Sequence, residues 1–223
     1  MLKIENTEVY GWEAAIRGMR NPMNSWEQSD SNFWGSGNME FTLGEKDIDL
    51  MRRLRKAGTD HRKFMRMITV SCDLVAPLYW WKEYDTYKVG TVANSCSTMH
   101  KIHAKEFTLD DFSHDHLART VDGWVTDNNG DKWCDPLTTL ETLVHTLNAC
   151  RDLYLNTKNK TWWWQMIQLL PSSYNQRRTV MLNYEVLTNI YKSRKNHKIT
   201  EWTDFCKWIE GLPYAELITG VEL

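Results

Sequence analysis

Residues 170–194 read LPSSYNQRRTVMLNYEVLTNIYKSR, and this stretch carries the clearest information on the fold. Its apolar residues recur at helical spacing and predict one long helix over residues 172–194. The predicted buried side of this helix consists of Tyr174, Met181, Leu182, Val186, Leu187 and Ile190. Asn183, Asn189 and Arg194 are polar interruptions that suit a core poorly. Asn183 and Arg194 lie 11 residues apart, about three helical turns, so they indicate either a ligand groove or an exposed polar face.

The segments around this stretch predict one α+β domain over residues 1–223. Helical spacing predicts helices over residues 11–20, 47–56, 78–84, 136–155 and from residue 200 onward, with Thr200 as an N-cap. Alternation of apolar and polar residues predicts a strand over residues 68–76, and the turn Asn128-Asn129-Gly130 predicts a hairpin between residues 124–125 and 132–133. Residues 23–44 and 90–97 are predicted to be loops, the first of them polar.

The composition is that of a globular protein and excludes several classes of function. The 223 residues include 27 Lys and Arg against 29 Asp and Glu, a formal net charge of −2, which disfavours binding to duplex nucleic acid. The five cysteines form no C-x-x-C pair, so a disulfide framework or zinc ribbon is not expected. No segment approaches the ~20 apolar residues of a membrane span, and no signal-peptide pattern is present. We therefore expect a cytoplasmic protein without a membrane partner.

Tryptophan is unusually frequent, with 12 residues. Adjacent tryptophans occur at residues 80–81 and 162–164, where they could stack on a planar ligand. Neighbouring side chains on a helix cannot all face one way, so at least part of each run is expected in the core or in an oligomer contact.

A group of histidines allows a second interpretation of the chain. The sequence His114-Asp115-His116 could hold a divalent ion as in a helical metal-dependent phosphohydrolase, together with Asp152 downstream and the upstream histidines His103, His100 and His61. The same residues follow an acidic segment of the kind that caps helix starts. The first expectation is therefore that no metal is bound, and the His/Asp phosphohydrolase remains an alternative.

Residues 183–194, the pair Asp60-His61 and the loop at residues 94–99 occur in an order that resembles one family, the flavin-dependent thymidylate synthases. That family has a Leu-Pro segment, a Tyr and then a helix reading Asn-Ala-Arg-Ser-Leu-x-Asn-Phe-x-x-x-Arg. Here the same frame runs without a gap from Asn183 to Arg194. The family's Glu-His before a strand corresponds to Asp60-His61, and its serine-containing loop corresponds to residues 94–99. The likeness spans residues 60–210.

The resemblance implies an α+β fold that is mostly helical around a small antiparallel sheet, in a homotetramer with active sites between subunits. It implies methylation of dUMP to dTMP, or a close variant on a pyrimidine nucleotide, with FAD as cofactor and NADPH and methylenetetrahydrofolate as co-substrates. Carried over by position, His61, Asn183 and Asn189 resemble flavin-contacting residues. Arg194 resembles the catalytic residue that binds and polarises the pyrimidine. Ser97 lies where the family has a serine near the nucleotide phosphate.

Three cations of the family are replaced at the matching positions. Its Arg-His-Arg signature reads Lys82-Glu83-Tyr84 here or, with a shifted gap, Trp81-Lys82-Glu83. Its Asn-x-Arg arginine is Glu185, and its Ser-Gly-Arg-Tyr loop is residues 97–100. Because charge-assisted contacts to phosphate are strong, each replacement bears on activity. The alternative function is therefore a non-catalytic relative that binds a nucleotide or a protein on the same fold. The cations that could compensate are Lys82, Lys88, Lys101, Arg177 and Arg178.

Overall fold

The computed structural model describes residues 1–33 and 41–220. The helices are α1 (Trp12–Arg20), α2 (Glu45–Lys56), α3 (Leu78–Tyr84), α4 (Pro136–Thr157), α5 (Lys160–Leu169), α6 (Tyr184–Arg194), α7 (Thr200–Glu210) and α8 (Glu216–Thr219). The strands are β1 (Lys3–Tyr10), β2 (Asn32–Phe33), β3 (Phe41–Thr42), β4 (Thr69–Pro77), β5 (Val92–Ser95), β6 (Trp124–Thr126), β7 (Lys132–Cys134) and β8 (Asn175–Asn183). Within the described residues, none of the helices has the length and apolar character needed to span a membrane.

Four strands form the main sheet in the order β1-β4-β8-β5. Strands β4 and β8 are antiparallel, because the amide of Tyr184 donates to the carbonyl of Ile68 while the amide of Leu78 donates to the carbonyl of Tyr174. The pairs β2-β3 and β6-β7 form separate two-stranded antiparallel sheets. The expected α+β architecture is confirmed, as are the predicted strand at residues 68–76 and the hairpin after residue 124.

The long helix predicted over residues 172–194 is wrong in its first half. Residues Asn175–Asn183 form β8, and α6 begins only at Tyr184. Along β8, Gln176, Val180 and Leu182 are buried while the residues between them are exposed or half-buried, which is the two-residue period of a strand. Polar side chains occupy part of the buried face, and this obscured the alternation in the sequence.

Four smaller differences from the expected elements also appear. Strand β1 was not predicted, and the predicted loop at residues 90–97 contains β5. Thr200 is the first residue of α7 and not its N-cap, which is Ile199. The polar segment at residues 23–44 begins with 3-10 turns and β2; residues 34–40 of this predicted loop lie outside the described residues.

Contacts divide the chain into two units, and the prediction of a single domain over 1–223 stays a prediction. The first unit comprises Met1–Lys3, Val75–Asp85 and Ser95–Arg178. Its core contains Ile102, Phe107, Phe112, Leu140, Val144, Leu147, Cys150 and Met166. Helix α4 begins sharply because Asp135 caps it, accepting the amide of Thr138 at 2.7 Å, and Pro136 follows as the first helical residue. Backbone hydrogen bonds, first from Thr138 and then from Thr120, lower the pKa of Asp135 to about 2.

The tryptophan run of α5 is divided between the core and the surface of this first unit. Trp162 and Trp163 are partly buried against the core, whereas Trp164 is 48% exposed. Trp80 and Trp81 of α3 are both fully buried. The expectation that part of each run belongs to the core is confirmed.

The second unit comprises Ile4–Leu74, Thr86–Asn94 and Thr179–Leu223. A buried ion pair organises the start of its polar segment: Arg20 Nε donates to Asp47 Oδ1 at 2.7 Å. Asp47 Oδ2 accepts the hydroxyls of Ser29 at 2.6 Å and Ser31 at 2.7 Å. Burial raises the pKa of Asp47, but the hydrogen bonds from Ser29, Ser31 and Arg20 outweigh it and hold the pKa below its usual value. The segment beside α2 is thus fixed by side-chain hydrogen bonds.

Candidate functional site

Arg194 is at the C-terminal end of α6, and Tyr87 and His197 contact the edge of its guanidinium. Nε donates to the hydroxyl of Tyr87 at 2.9 Å, and Nη1 lies 3.0 Å from Nε2 of His197. Because arginine has no acceptor, Nε2 of His197 is the acceptor in this contact. The chain turns back after α6 to make it possible, since the amide of His197 donates to the carbonyl of Arg194 at 2.9 Å.

Aromatic rings cover the face of the same guanidinium. Cζ of Arg194 lies 4.7 Å from the ring centroid of Trp202, in the first turn of α7, and 5.7 Å from that of Tyr87. Trp202 is fully buried and meets Tyr87 edge-on at 6.1 Å between centroids. Cation–π attraction and the edge contacts together hold this half-buried cation in one orientation. A fixed planar donor of this kind can recognise carbonyl or phosphate oxygens.

The two amides expected to contact flavin have different environments. Asn183 is the N-cap of α6 and accepts the amide N–H of Val186 at 3.0 Å through Oδ1. The side chain of Asn183 therefore caps α6. The prediction that Asn183 and Arg194 point the same way from one long helix is wrong. Asn189 is on α6 itself and is exposed. The flavin contacts of both residues stay predictions.

Glu185, at the position of the family's arginine, is buried and paired with Arg62. Glu185 Oε2 lies 2.8 Å from Arg62 Nε, and Arg62 Nη2 donates to Glu185 Oε1 at 3.1 Å. The 2.8 Å contact lacks hydrogen-bond alignment, so Nε and Oε2 are buried without a hydrogen bond. Arg55 is nearby: burial, and then the charge of Arg62, lower its pKa from the usual value. Where the family has an arginine, this chain therefore has a glutamate that is paired with an arginine from another segment.

His61 lies immediately before Arg62, at the start of the 3-10 helix Arg62–Arg66. Its side chain is exposed, and its amide donates to the carbonyl of Gly58 at 3.1 Å. The turn that carries the partner of Glu185 thus also carries the imidazole that the resemblance assigns to flavin. That assignment stays a prediction.

The loop of Ser97 belongs to the first unit and is attached to β8. The amide of Cys96 donates to the carbonyl of Arg177 at 2.9 Å. Ser97 is exposed, and its Oγ accepts the amides of Met99 at 3.2 Å and His100 at 2.9 Å. The hydroxyl therefore closes a local turn, and its expected place near a phosphate stays a prediction.

Aromatic side chains take the place of the family's Arg-His-Arg signature. Trp81 and Tyr84 are buried, and Arg178 stacks over the ring of Trp81 at 4.2 Å. Arg178 also donates to Asp85 Oδ1 at 3.0 Å, so this cation is used inside the first unit. The other cations that could compensate are exposed: Lys82, Lys88, Lys101 and Arg177.

The histidine cluster does not assemble into a metal centre. Over residues 1–33 and 41–220, no three His, Cys, Asp or Glu side chains converge to hold an ion. Nδ1 of His114 lies 2.8 Å from the carbonyl of Phe112, and the ring of His103 packs edge-on against Tyr154 at 4.9 Å. The structure therefore gives the His/Asp phosphohydrolase alternative no support.

A groove of about 840 Å³ in the second unit lies between the rings of Trp12, Trp208 and Tyr214. The indole N–H of Trp208 donates to Thr7 Oγ1 at 3.1 Å, and the hydroxyl of Tyr214 accepts the amide of Leu43 at 3.2 Å. None of its lining residues is charged, and none is a predicted site residue. The groove therefore lacks the cation that recognition of a nucleotide phosphate requires.

Three solved structures share the fold of this chain over nearly its whole length. Two are of the flavin-dependent thymidylate synthase ThyX from Helicobacter pylori with FAD and dUMP. Their TM-scores are 0.67 and 0.65 at 15% and 16% identity, and the matches cover 97% and 98% of this chain and 97% of each of those chains. The third is the UMP/dUMP methylase PolB from Streptomyces cacaoi bound with 5-Br dUMP, with a TM-score of 0.59 at 11% identity, covering 98% of this chain and 93% of that one.

No protein-family model matches the chain, and no curated protein matches its sequence. At these identities the likeness to the solved structures is one of fold. The chain has the fold of the flavin-dependent thymidylate synthases.

Proposed function

We propose that this protein binds a pyrimidine nucleotide and methylates it, in a flavin-dependent reaction of the dUMP-to-dTMP type. FAD is the proposed cofactor, and NADPH and methylenetetrahydrofolate are the proposed co-substrates. The observation that carries the proposal is the oriented guanidinium of Arg194 at the end of α6, in a fold whose solved examples hold FAD and dUMP. We also propose that the protein is a homotetramer in the cytoplasm.

Arg194 is the residue proposed to act on the pyrimidine. Its planar group offers only donors, so it suits the carbonyl oxygens of a uracil ring and stabilises negative charge that develops there. Tyr87 and Trp202 keep it oriented before the ligand arrives. Preorganised donors of this kind favour the transition state, because they need little rearrangement during the reaction.

The residues proposed to contact FAD are His61 and Asn189, whose side chains are exposed. Arg62 is paired with Glu185, so its charge is already balanced within the protein. The flavin, when bound, supplies hydride transfer. The residues of this chain bind and orient the reactants.

The first test is an absorbance spectrum of the purified protein, taken before and after addition of FAD and desalting. We expect flavin bands that remain with the protein, and then oxidation of NADPH that depends on dUMP. A protein that retains no flavin and shows no such oxidation would contradict the methylation reaction.

A non-catalytic nucleotide-binding relative is the second candidate function. Its support is the burial of Trp81 and Tyr84 at the signature position, where the family has cations. This candidate predicts that dUMP binds, measured by calorimetry, while no flavin is retained and no NADPH is oxidised. Arg194→Ala distinguishes nucleotide binding at the proposed site from binding elsewhere, because it should abolish the affinity for dUMP without unfolding the protein.

A further inference from the structure

We propose that Tyr87 and His197 are positioning residues for Arg194, and that they set the affinity for the pyrimidine nucleotide through it. The inference rests on the proposed function, because it concerns the residue assigned to the pyrimidine. Neither residue belongs to the segments that carry the family resemblance. Both are brought to Arg194 by the folding of the second unit.

The geometry assigns each neighbour a separate task. Tyr87 accepts the hydrogen bond from Nε at 2.9 Å, and His197 accepts from Nη1 at 3.0 Å. Trp202 lies under the guanidinium at 4.7 Å and prevents it from tilting. Two bonds in the plane and one ring on the face fix a planar group in all its rotations.

The position of Arg194 at the end of a helix explains why its side chain has to be ordered. Arg194 is the last residue of α6, where its long side chain would otherwise sample many rotamers. Binding a ligand to a mobile arginine requires that its freedom be lost at that moment, which weakens affinity. Side chains that order Arg194 beforehand remove this cost.

His197 is itself held in place by the chain on both sides of it. The ring of His197 meets that of Trp202 edge-on at 6.4 Å, and the amide of His197 donates to the carbonyl of Arg194 at 2.9 Å. The imidazole is thus part of the turn between α6 and α7. Its orientation is set before any ligand binds.

The test uses the full chain and dUMP as the probe, with affinity measured by isothermal titration calorimetry. Tyr87→Phe and His197→Leu each remove one acceptor, and we expect each to weaken dUMP binding about tenfold. His197→Gln keeps an acceptor oxygen at similar reach and should recover most of the affinity. Tyr191→Phe is the matched control. It removes a tyrosine hydroxyl from α6, the helix that carries Arg194, and this hydroxyl donates to Glu210 at 2.7 Å.

A double-mutant cycle separates positioning from a general structural effect. In the background Arg194→Lys, which keeps the charge but removes the planar fork, Tyr87→Phe and His197→Leu should have little further effect on dUMP affinity. The inference would be overturned if Tyr87→Phe and His197→Leu weakened dUMP binding as much in the Arg194→Lys background as in the original chain. It would also be overturned if these single variants bound dUMP as tightly as the original chain. If the original chain does not bind dUMP, the proposed function itself fails. If Arg194→Lys alone leaves the affinity unchanged, the role of Arg194 fails.

Discussion

Two buried arginine–carboxylate pairs of the second unit differ in how completely their polar atoms are satisfied. In the pair Arg20–Asp47, both side chains are almost fully buried, at 3% and 0% exposure. Hydroxyls of Ser29 and Ser31 complete the carboxylate. In the pair Arg62–Glu185, the exposures are 15% and 8%, and one nitrogen and one oxygen lack a hydrogen bond.

The difference predicts different contributions of the two pairs to stability. A buried ion pair with every lone pair used contributes to a single folded structure, and loss of one partner leaves an unpaired buried charge. In the second pair the unbonded nitrogen and oxygen lose hydrogen bonds that water would have given them, so this pair should stabilise the fold less.

The largest expected effect is on stability at the first pair. Asp47→Ala should lower the free energy of unfolding by about 3–5 kcal/mol, because Arg20 stays buried without its partner. Urea denaturation measures this change. Asp49→Ala is the control: it breaks the exposed pair Asp49–Arg53, with side chains 64% and 67% exposed. Its cost should be below about 1 kcal/mol. Equal costs for the two variants would contradict the comparison.

A smaller loss is expected at the second pair. Glu185→Gln keeps the shape and removes the charge, so Arg62 loses its ionic partner but retains some contact with solvent. We expect a decrease of about 1–3 kcal/mol in the free energy of unfolding. A cost as large as that of Asp47→Ala would show that the missing hydrogen bonds do not weaken the second pair.

The pH dependence of stability should reveal the same contrast. Hydrogen bonds hold the pKa of folded Asp47 below its usual value, so its stabilising contribution is complete above the unfolded pKa of about 3.9 and is lost as the pH falls through the folded pKa. The difference in unfolding free energy between the original chain and Asp47→Asn should therefore be constant above about pH 5 and shrink below pH 4. A difference that does not change between these values would show that Asp47 titrates alike in both states.

The smallest change in stability should come from exchanging the charges of the second pair. Arg62→Glu combined with Glu185→Arg keeps one cation and one anion in contact, so the double variant should be more stable than either single variant. It also returns the cation to α6, at the position of the family's arginine. If this region binds flavin, the double variant should retain FAD at least as well as the original chain. FAD titration followed by absorbance measures this: tighter binding than in the original chain supports a flavin contact here, and weaker binding contradicts a preference for a cation at residue 185.

Local pattern was enough to predict several elements of the fold. Helix α1, the strand β4 and the hairpin β6-β7 follow from spacing and turn chemistry, because neighbouring residues determine these features. The same reasoning merged β8 with α6. Whether Gln176 and Arg178 face a core or solvent depends on strands far away in the chain, and no local signal contains that information.

The candidate site was predictable only in part. The frame from Asn183 to Arg194 predicted that the helix ends at Arg194, as α6 does, yet the partners of Arg194 lie outside the frame. Tyr87 is 107 residues away, and nothing in its own neighbourhood distinguishes it from an ordinary half-buried tyrosine. From the sequence, Glu185 indicated only that the family's cation is missing, because its partner Arg62 lies 123 positions away in the chain.

The sequence by itself determined the α+β class, most helices and the identity of the arginine at the end of α6. Only the tertiary structure decided which polar residues cap, which pair and which remain accessible to a ligand. The physical reason is range: helix periodicity and turn preference act over a few residues, whereas burial and charge pairing depend on segments that meet only in the folded chain. Asn183 became a cap and Glu185 a partner for Arg62 through such contacts.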